Sequence, residues 1–416
     1  MNLKEKTCLV YDRGIFVELA IRLSREFGKV LYHAPEGSPF PRSTTQLIGS
    51  GLKEIEVVEN IWEHIDEVDL FVFPDVYDGA LQVFLREMGH RVYGNAQADR
   101  LELDRFFCKD TLKRLGLPIV PYEKVSGITA LRDKLEGEEN KFVKISHYRG
   151  DMETEKHLNG EMNDDRWDYI ASRLGGMKEL TDFLVEDKVE GIEVGYDGYV
   201  VNGEYPNQCA YGYEIKDTGY VGKIVPYQML PQTLKIINAK LAPYFKEEQA
   251  RGDFSTEVRI TKTRQAFLTD PCVRCGNPPT PAKMEAFSNL GEFMYAAAEG
   301  ELIPLRPTGK FMAQANIYSP YADKQHLSVE FPERDRQWIK LMNFMVTDGV
   351  YKIIPRDLEL EVIGAVVAIA DTMNQAIELV KERAEAFKGF EVDIKTDSFD
   401  DALEVIEDGK KLGIPF

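Results

Sequence analysis

Residues Asp253 to Pro278 read DFSTEVRITKTRQAFLTDPCVRCGNP. Two runs rich in β-branched and aromatic residues flank the basic stretch Lys262 to Gln265, which predicts two antiparallel strands joined by a tight turn. Glu257 opens the first run and Asp270 closes the second. At a rise of roughly 3.4 Å per residue, such a hairpin returns both carboxylates to one end. Two acids at one end of a sheet, with Arg274 four residues further on, can hold a hard cation against a phosphate. The same charges would also suit an exposed hairpin, so the choice turns on what the rest of the chain supplies.

Upstream, Val185 to Pro206 read VEDKVEGIEVGYDGYVVNGEYP, where Glu186 and Glu193 flank a short connection at Gly191. Asn202-Gly203 is a type I′ hairpin signal. Further back, KFVKIS at Lys141 to Ser146 predicts a strand that puts Lys144 on the same face as Phe142. A lysine turned inward needs an anion, because a buried ammonium is costly unless paired. The polar run HYRGDMETEKH, His147 to His157, follows as a loop with Arg149 at a bend. In GNAQADRLELDRFFCKDTLKRLGLPIVPYEKV, Gly94 to Val125, the residues Leu101, Phe106, Leu112 and Leu115 form a helical apolar face that Gly116 and Pro118 end. Lys109 lies within that helix.

The first 95 residues alternate short apolar runs (TCLVY at 7–11, KVLYH at 29–33, DLFVF at 69–73) with helical patterns at Ile15–Phe27 and Ala80–Met88. That alternation predicts a small parallel α/β domain. Ligands of such sheets sit at the carboxyl ends of the strands, which points to Asp12, Arg13, Asp75 and Asp78. No GxGxxG follows the first run, so a dinucleotide is not expected there.

The chain has 416 residues, 44% apolar and 29% charged, which is too long for one core. A net charge of −19 argues against duplex DNA or an anionic membrane surface as the main partner, and leaves a nucleic-acid or polymer acceptor open as an alternative. No run approaches ~18 consecutive apolar residues. The five cysteines are odd in number and scattered, and one CxxC pair, Cys272 and Cys275, does not make a zinc site. The N-terminal MNLKEKTCLVYDRG does not read as a leader, so a cytoplasmic protein with reduced thiols is expected.

In combination these stretches resemble the ATP-grasp superfamily, and within it are most similar to phosphoribosylamine-glycine ligase. LELDRFFCKDTL resembles the helix whose lysine reaches ATP, which implies Lys109; FVKIS resembles the strand whose lysine contacts the α- and β-phosphates, which implies Lys144. VEDKVEGIEV resembles the family's hinge, so Glu186, Asp187, Lys188 and Val189 would line adenine and Glu193 would bind the ribose hydroxyls. FLTDPCVRCGNPP resembles the strand and loop L-E-F-N-x-R-x-G-D-P-E, which places Asp270 at the metal-binding acid, Cys272 at the asparagine, Arg274 at the arginine and Asn277 at the aspartate. Hard cations prefer oxygen donors, so Glu257 is expected to join Asp270 on the metal in place of Cys272. EVIGAVVAIADTMNQAIELVKERAEAF, from Glu361 to Phe387, resembles the strand and helix of a small domain near the family's C-terminus.

The resemblance implies an α/β ATP-grasp fold: an N-terminal parallel α/β domain over 1–95, a two-lobed α+β ATP-binding domain over 96–300 with a lid subdomain at about 118–190, and a small C-terminal α+β domain over 301–416. It implies a carboxylate-amine ligase that makes an amide through an acyl phosphate and releases ADP and phosphate, with ATP as substrate and Mg2+ or Mn2+ as metal. Phosphoribosylamine-glycine ligation and a non-catalytic ATP-binding module are the alternatives. Lys144, Lys109 and Arg149 would take up phosphate charge, while Arg274 and Arg259 would orient the acceptor carboxylate or the transferring group. Asp217 would bind the amino substrate or cap its loop, with Asn277 beside the substrate. Residues 145–158 would cover the site. The expected partners are small carboxylates and amines, for a monomer or homodimer with no membrane association.

Overall fold

Thr7–Tyr11 (β1) is buried at its centre and pairs in parallel with Lys29–His33 (β2). Glu56–Val57 (β3), Leu70–Val72 (β4) and Val92–Tyr93 (β5) complete a five-stranded parallel sheet in the order β3-β2-β1-β4-β5. Val17–Ser24 (α1) and Gly79–Glu87 (α2) supply the crossovers that parallel strands require. Leu9, Leu31, Phe71, Leu85 and Val92 are buried in one cluster on this sheet. The structure is a computed structural model and describes residues 2–35, 47–148, 152–216, 218–355 and 361–416.

The described chain divides into two units, one formed by 1–99, 193–256 and 272–416 and a smaller one formed by 100–192 and 257–271. In the smaller unit, Arg100–Leu103 (α3) and Arg105–Arg114 (α4) are separated by Asp104, whose side chain caps α4 by accepting from the Phe107 N–H at 3.0 Å. Tyr122–Ser126 (β6), Lys141–Ile145 (β7), Thr154–His157 (β8) and Asp182–Asp187 (β9) form a sheet in the order β6-β9-β7-β8. Ile128–Leu135 (α5) and Gly160–Leu174 (α6) contribute Leu131, Trp167 and Ile170 to a core with Val143, Ile145 and Phe183. Burying each such side chain is worth about 1.5–3 kcal/mol, which fixes this sheet and hence the side chains on its other face. The loop expected over His147 to His157 is corrected at its end: Thr154–His157 is a strand, with Thr154 opposite Lys144 and His157 opposite Lys141. Its alternation was hidden in a run of charged residues.

In the larger unit, Ile192–Val201 (β10), Gln208–Ile215 (β11) and Gly219–Pro226 (β12) form an antiparallel meander. The predicted turn is present, with Asn202 at φ 50 and Gly203 at φ 82. Gln232–Glu247 (α7) precedes the hairpin strands Arg251–Ile260 (β13) and Ala266–Cys272 (β14), and Thr280–Ala286 (α8) and Leu290–Ala298 (α9) follow. Phe311–Tyr318 (β15) leads to Leu327–Glu330 (β16), Ile339–Leu341 (β17), Phe344–Thr347 (β18), Val350–Ile353 (β19) and Val362–Ala370 (β20). Met373–Ala386 (α10), Lys388–Gly389 (β21) and Phe399–Lys411 (α11) end the chain. The main sheet runs β14-β13-β10-β11-β12-β15-β20-β17, and β18, β19, β16 and β21 form a separate small one. The hairpin tip lies in the smaller unit, since β13 passes into it after Thr256 and β14 leaves it after Pro271.

Candidate functional site

The smaller unit gathers most of the charges singled out in the sequence. Lys144, on β7, is buried as its alternation requires; its Nζ lies 3.2 Å from Glu186 Oε1 and donates to the Thr269 carbonyl at 2.8 Å. Glu186, near the end of β9, is buried and is shared with Lys109 of α4, which also donates to it. Lys109 is therefore one wall of the site and not a solvated helix lysine. Burial works to discharge Lys144, but Glu186, Asp270 and Glu257 outweigh it and raise its pKa. Burial likewise pushes the Glu186 carboxyl up, and the charges of Lys144 and Lys109 hold it below its ordinary value. Lys144 and Glu186 thus each favour the charged form of the other.

The hairpin tip contributes the opposing acids. Arg264 N–H donates to the Thr261 carbonyl at 2.8 Å and Thr261 N–H to the Gln265 carbonyl at 2.9 Å, which closes the turn with Arg264 at φ 62. Thr269 Oγ1 donates to the Glu257 carbonyl at 3.0 Å, so Glu257 stands beside Thr269 and Asp270 one residue further along. Both carboxylates act on the Lys144 ammonium. Among the described residues, no cluster of three or more His, Cys, Asp or Glu side chains could hold a metal.

Arg105, in the first turn of α4, was not singled out by the sequence reading. It is buried, donates from Nη1 to Asp270 Oδ1 at 2.6 Å, and pairs through Nη2 with Glu153, just before β8. Burial lowers the pKa of the guanidinium, yet Asp270 and Glu153 outweigh it and raise it well above the ordinary value. Its own N–H donates to Ser146 Oγ at 3.0 Å, and the His147 N–H reaches the Leu103 carbonyl at 2.7 Å. The loop after β7 is therefore tied to the α3–α4 junction. The only sequence signal was Asp104-Arg105 at a helix start, which reads equally as a cap and a surface charge. Cys108, one residue before Lys109, is buried in the same place, and burial pushes its thiol up to about 12.

The remaining candidates are more dispersed. Asp187 and Lys188 are exposed and pair with Lys141 and Glu190, both at 2.6 Å, while Val189 is partly buried. Arg259 donates to the Gly191 carbonyl at 3.3 Å. Glu193, Arg274 and Asn277 belong to the larger unit. There Arg274 donates to the Cys275 carbonyl at 3.1 Å, with its Nε 4.0 Å from Asp75 Oδ1, and Asn277 Oδ1 accepts from Gln314 at 3.0 Å. Cys272 Sγ lies 3.7 Å from the Arg274 carbonyl, a weak donor contact. Arg149 and Asp217 lie outside the described residues.

No family model matches the chain, and no curated protein matches it in sequence. Solved structures match it over nearly its whole length. Phosphoribosylamine-glycine ligase from Thermotoga maritima is 16% identical, with a TM-score of 0.68 over 94% of this chain and 99% of that one. Biotin carboxylase from Campylobacter jejuni, solved as a β,γ-ATP complex, is 15% identical, with a TM-score of 0.65 over 96% of this chain and 95% of that one. The biotin carboxylase domain of Hydrogenobacter thermophilus 2-oxoglutarate carboxylase, solved as a dimer with MgADP, ADP and bicarbonate, is 13% identical, with a TM-score of 0.66 and 98% of each chain covered. All three are ATP-grasp proteins, and the chain has the ATP-grasp fold.

Proposed function

We propose that this ATP-grasp chain is an ATP-dependent carboxylate-amine ligase. The observation that carries the reading is the charge arrangement of the smaller unit, where two buried lysines converge on Glu186 and the Lys144 ammonium feels Asp270 and Glu257. Buried lysines beside carboxylates suit a polyphosphate and its counterion, and a fully hydrophobic core would gain nothing from them.

In the proposed reaction a carboxylate oxygen of the acceptor attacks the γ-phosphorus of ATP, the bond from that phosphorus to the bridging oxygen breaks, and ADP departs. The amine then attacks the acyl carbon, the carbon–oxygen bond breaks, phosphate leaves, and the nitrogen loses a proton. Lys144 and Lys109 would leave Glu186 to bind the phosphates, taking up charge as the phosphoryl group moves. Backbone groups at Glu186 to Val189 would line adenine, and Glu193 would hold the ribose. Arg105 would hold Asp270 in place until the nucleotide arrives. Arg274 and Arg259 would orient the acceptor carboxylate. Glu257 and Asp270 fit Mg2+ or Mn2+ by donor chemistry, since both offer carboxylate oxygens and both already act on one cation. The metal, when bound, would offset the negative charge of the phosphates.

The test is to incubate the protein with ATP, Mg2+, hydroxylamine and a panel of carboxylates. Hydroxamate formed in step with ADP supports the ligase, whereas AMP would point to adenylation and ATP binding without turnover to a binding module. Activity that survives Lys144→Ala combined with Asp270→Ala would sink the site assignment.

A further inference from the structure

In the smaller unit the Arg105 guanidinium is shared between two acids that differ in what else they can bind. It is buried, donates from Nη1 to Asp270 Oδ1 at 2.6 Å and pairs through Nη2 with Glu153. Asp270 is one of the two carboxylates that fit a divalent cation. Glu153 is not, and it meets the guanidinium through the other terminal nitrogen. Arg105, Glu153, Glu257 and Asp270 all belong to the same unit. The side chains of Asp270 and Glu153 keep 18% and 19% of their surface exposed, so neither acid is sealed from solvent.

Asp270 Oδ1 does not serve a guanidinium and a divalent cation equally well. Two cations on one carboxylate oxygen repel, and the hydrogen bond from Nη1 uses a lone pair that a metal would take. A divalent ion that binds Asp270 therefore loosens the Nη1 bond. A buried guanidinium left without an acid is costly, which by itself would hold Arg105 on Asp270 and keep the ion out. Glu153 shifts that balance, because it retains one charge-assisted bond to the guanidinium when the other is given up. The backbone around Arg105 is fixed meanwhile: Asp104 caps α4, and the Arg105 N–H donates to Ser146 Oγ at 3.0 Å. The transfer thus needs a movement of the arginine side chain alone.

We propose that Arg105 and Glu153 are positioning residues that set the metal affinity of Asp270: Arg105 competes with the divalent cation for Asp270, and Glu153 draws the guanidinium away so that the cation can enter. The inference rests on the metal assignment within the ligase reading and on no step of the reaction. Its mark is the dependence of one residue on the other. Glu153 acts on the metal through the guanidinium, so its removal matters while Arg105 is present and not otherwise. A carboxylate acting only through space would change metal affinity by the same factor in both backgrounds.

Mn2+ binding to the full chain without nucleotide, followed by the electron paramagnetic resonance of the free ion, tests this in the wild type, Glu153→Gln, Arg105→Met and the double variant. Glu153→Gln is expected to weaken Mn2+ about tenfold, Arg105→Met to tighten it about tenfold, and the double variant to bind as Arg105→Met does. Equal affinity of Glu153→Gln and the wild type overturns the proposal, as does an equal loss from Glu153→Gln with and without Arg105, or no Mn2+ binding by any form. Glu153→Gln keeps an oxygen for Nη2, so the first comparison stands even where Arg105→Met does not fold. Asp270→Asn separates the proposal from the site it acts on. Mn2+ lost by Asp270→Asn yet indifferent to Glu153→Gln leaves the metal assignment and removes the proposal, whereas Mn2+ kept by Asp270→Asn removes both. Hydroxamate formation is measured apart from these titrations, so failure of the ligase reading leaves the Mn2+ outcome standing.

Discussion

At the scale of single residues, the strongest statement concerns Lys144. Replacing it with alanine leaves Glu186 buried with Lys109 as its remaining lysine partner. ADP release by Lys144→Ala is expected to fall by about 100-fold or more, the loss of roughly 3 kcal/mol of charge stabilisation. Arg105 carries a different expectation. Arg105→Ala takes the guanidinium away from the Asp270 and Glu153 carboxylates, and breaking a buried pair costs about 3–5 kcal/mol, so urea unfolding should shift to markedly lower midpoint. An equal midpoint would show that both acids find water in the folded protein. Lys144 was legible because strand alternation forces a side and a buried ammonium forces a partner. Arg105 was not, because an arginine in the first turn of a helix reads as solvated, and its partner Asp270 is 165 residues away.

At the scale of elements, the β13–β14 hairpin was readable from its turn, and its strand pairing follows from backbone bonds that any such turn would make. What no pattern announced was the chain of charges linking α8 to its neighbours. Glu285 of α8 pairs with Lys340 of β17 and with Arg25, just past α1, both at 2.7 Å. Burial raises the Glu285 carboxyl, but Lys340 and Arg25 outweigh this and hold it at about 2 against an ordinary 4.5. A folded value below the unfolded one means that the unfolded chain binds the proton first. The contribution is therefore complete above about 4.5 and lost as the pH falls toward about 2. Glu285→Gln should lower stability at neutral pH and flatten its fall over that acid window, as followed by urea unfolding at several pH values. An unchanged acid slope would assign the acid sensitivity to other carboxylates.

At the scale of the whole chain, burial and alternation persist where identity does not: solved structures only 13–16% identical share the fold over nearly all of this chain. Sequence order does not display that the smaller unit takes its second segment, 257–271, from the hairpin tip. A chain ending at residue 256 therefore lacks Glu257, Thr269 and Asp270, and amide hydrogens of residues 100–192 should exchange faster in it than in the full chain. Equal exchange would show that the first segment folds alone. The order of synthesis gives the Arg105 pairing one more consequence. On the ribosome Glu153 follows Arg105 after 48 residues, whereas Asp270 follows only after 165. At translation rates of about 5–20 residues per second, the nascent chain carries that arginine half-neutralised for several seconds. Over that interval the guanidinium lacks the second carboxylate it has in the folded protein, so synthesis of the last strand of the hairpin sets the earliest moment at which this charge network can close.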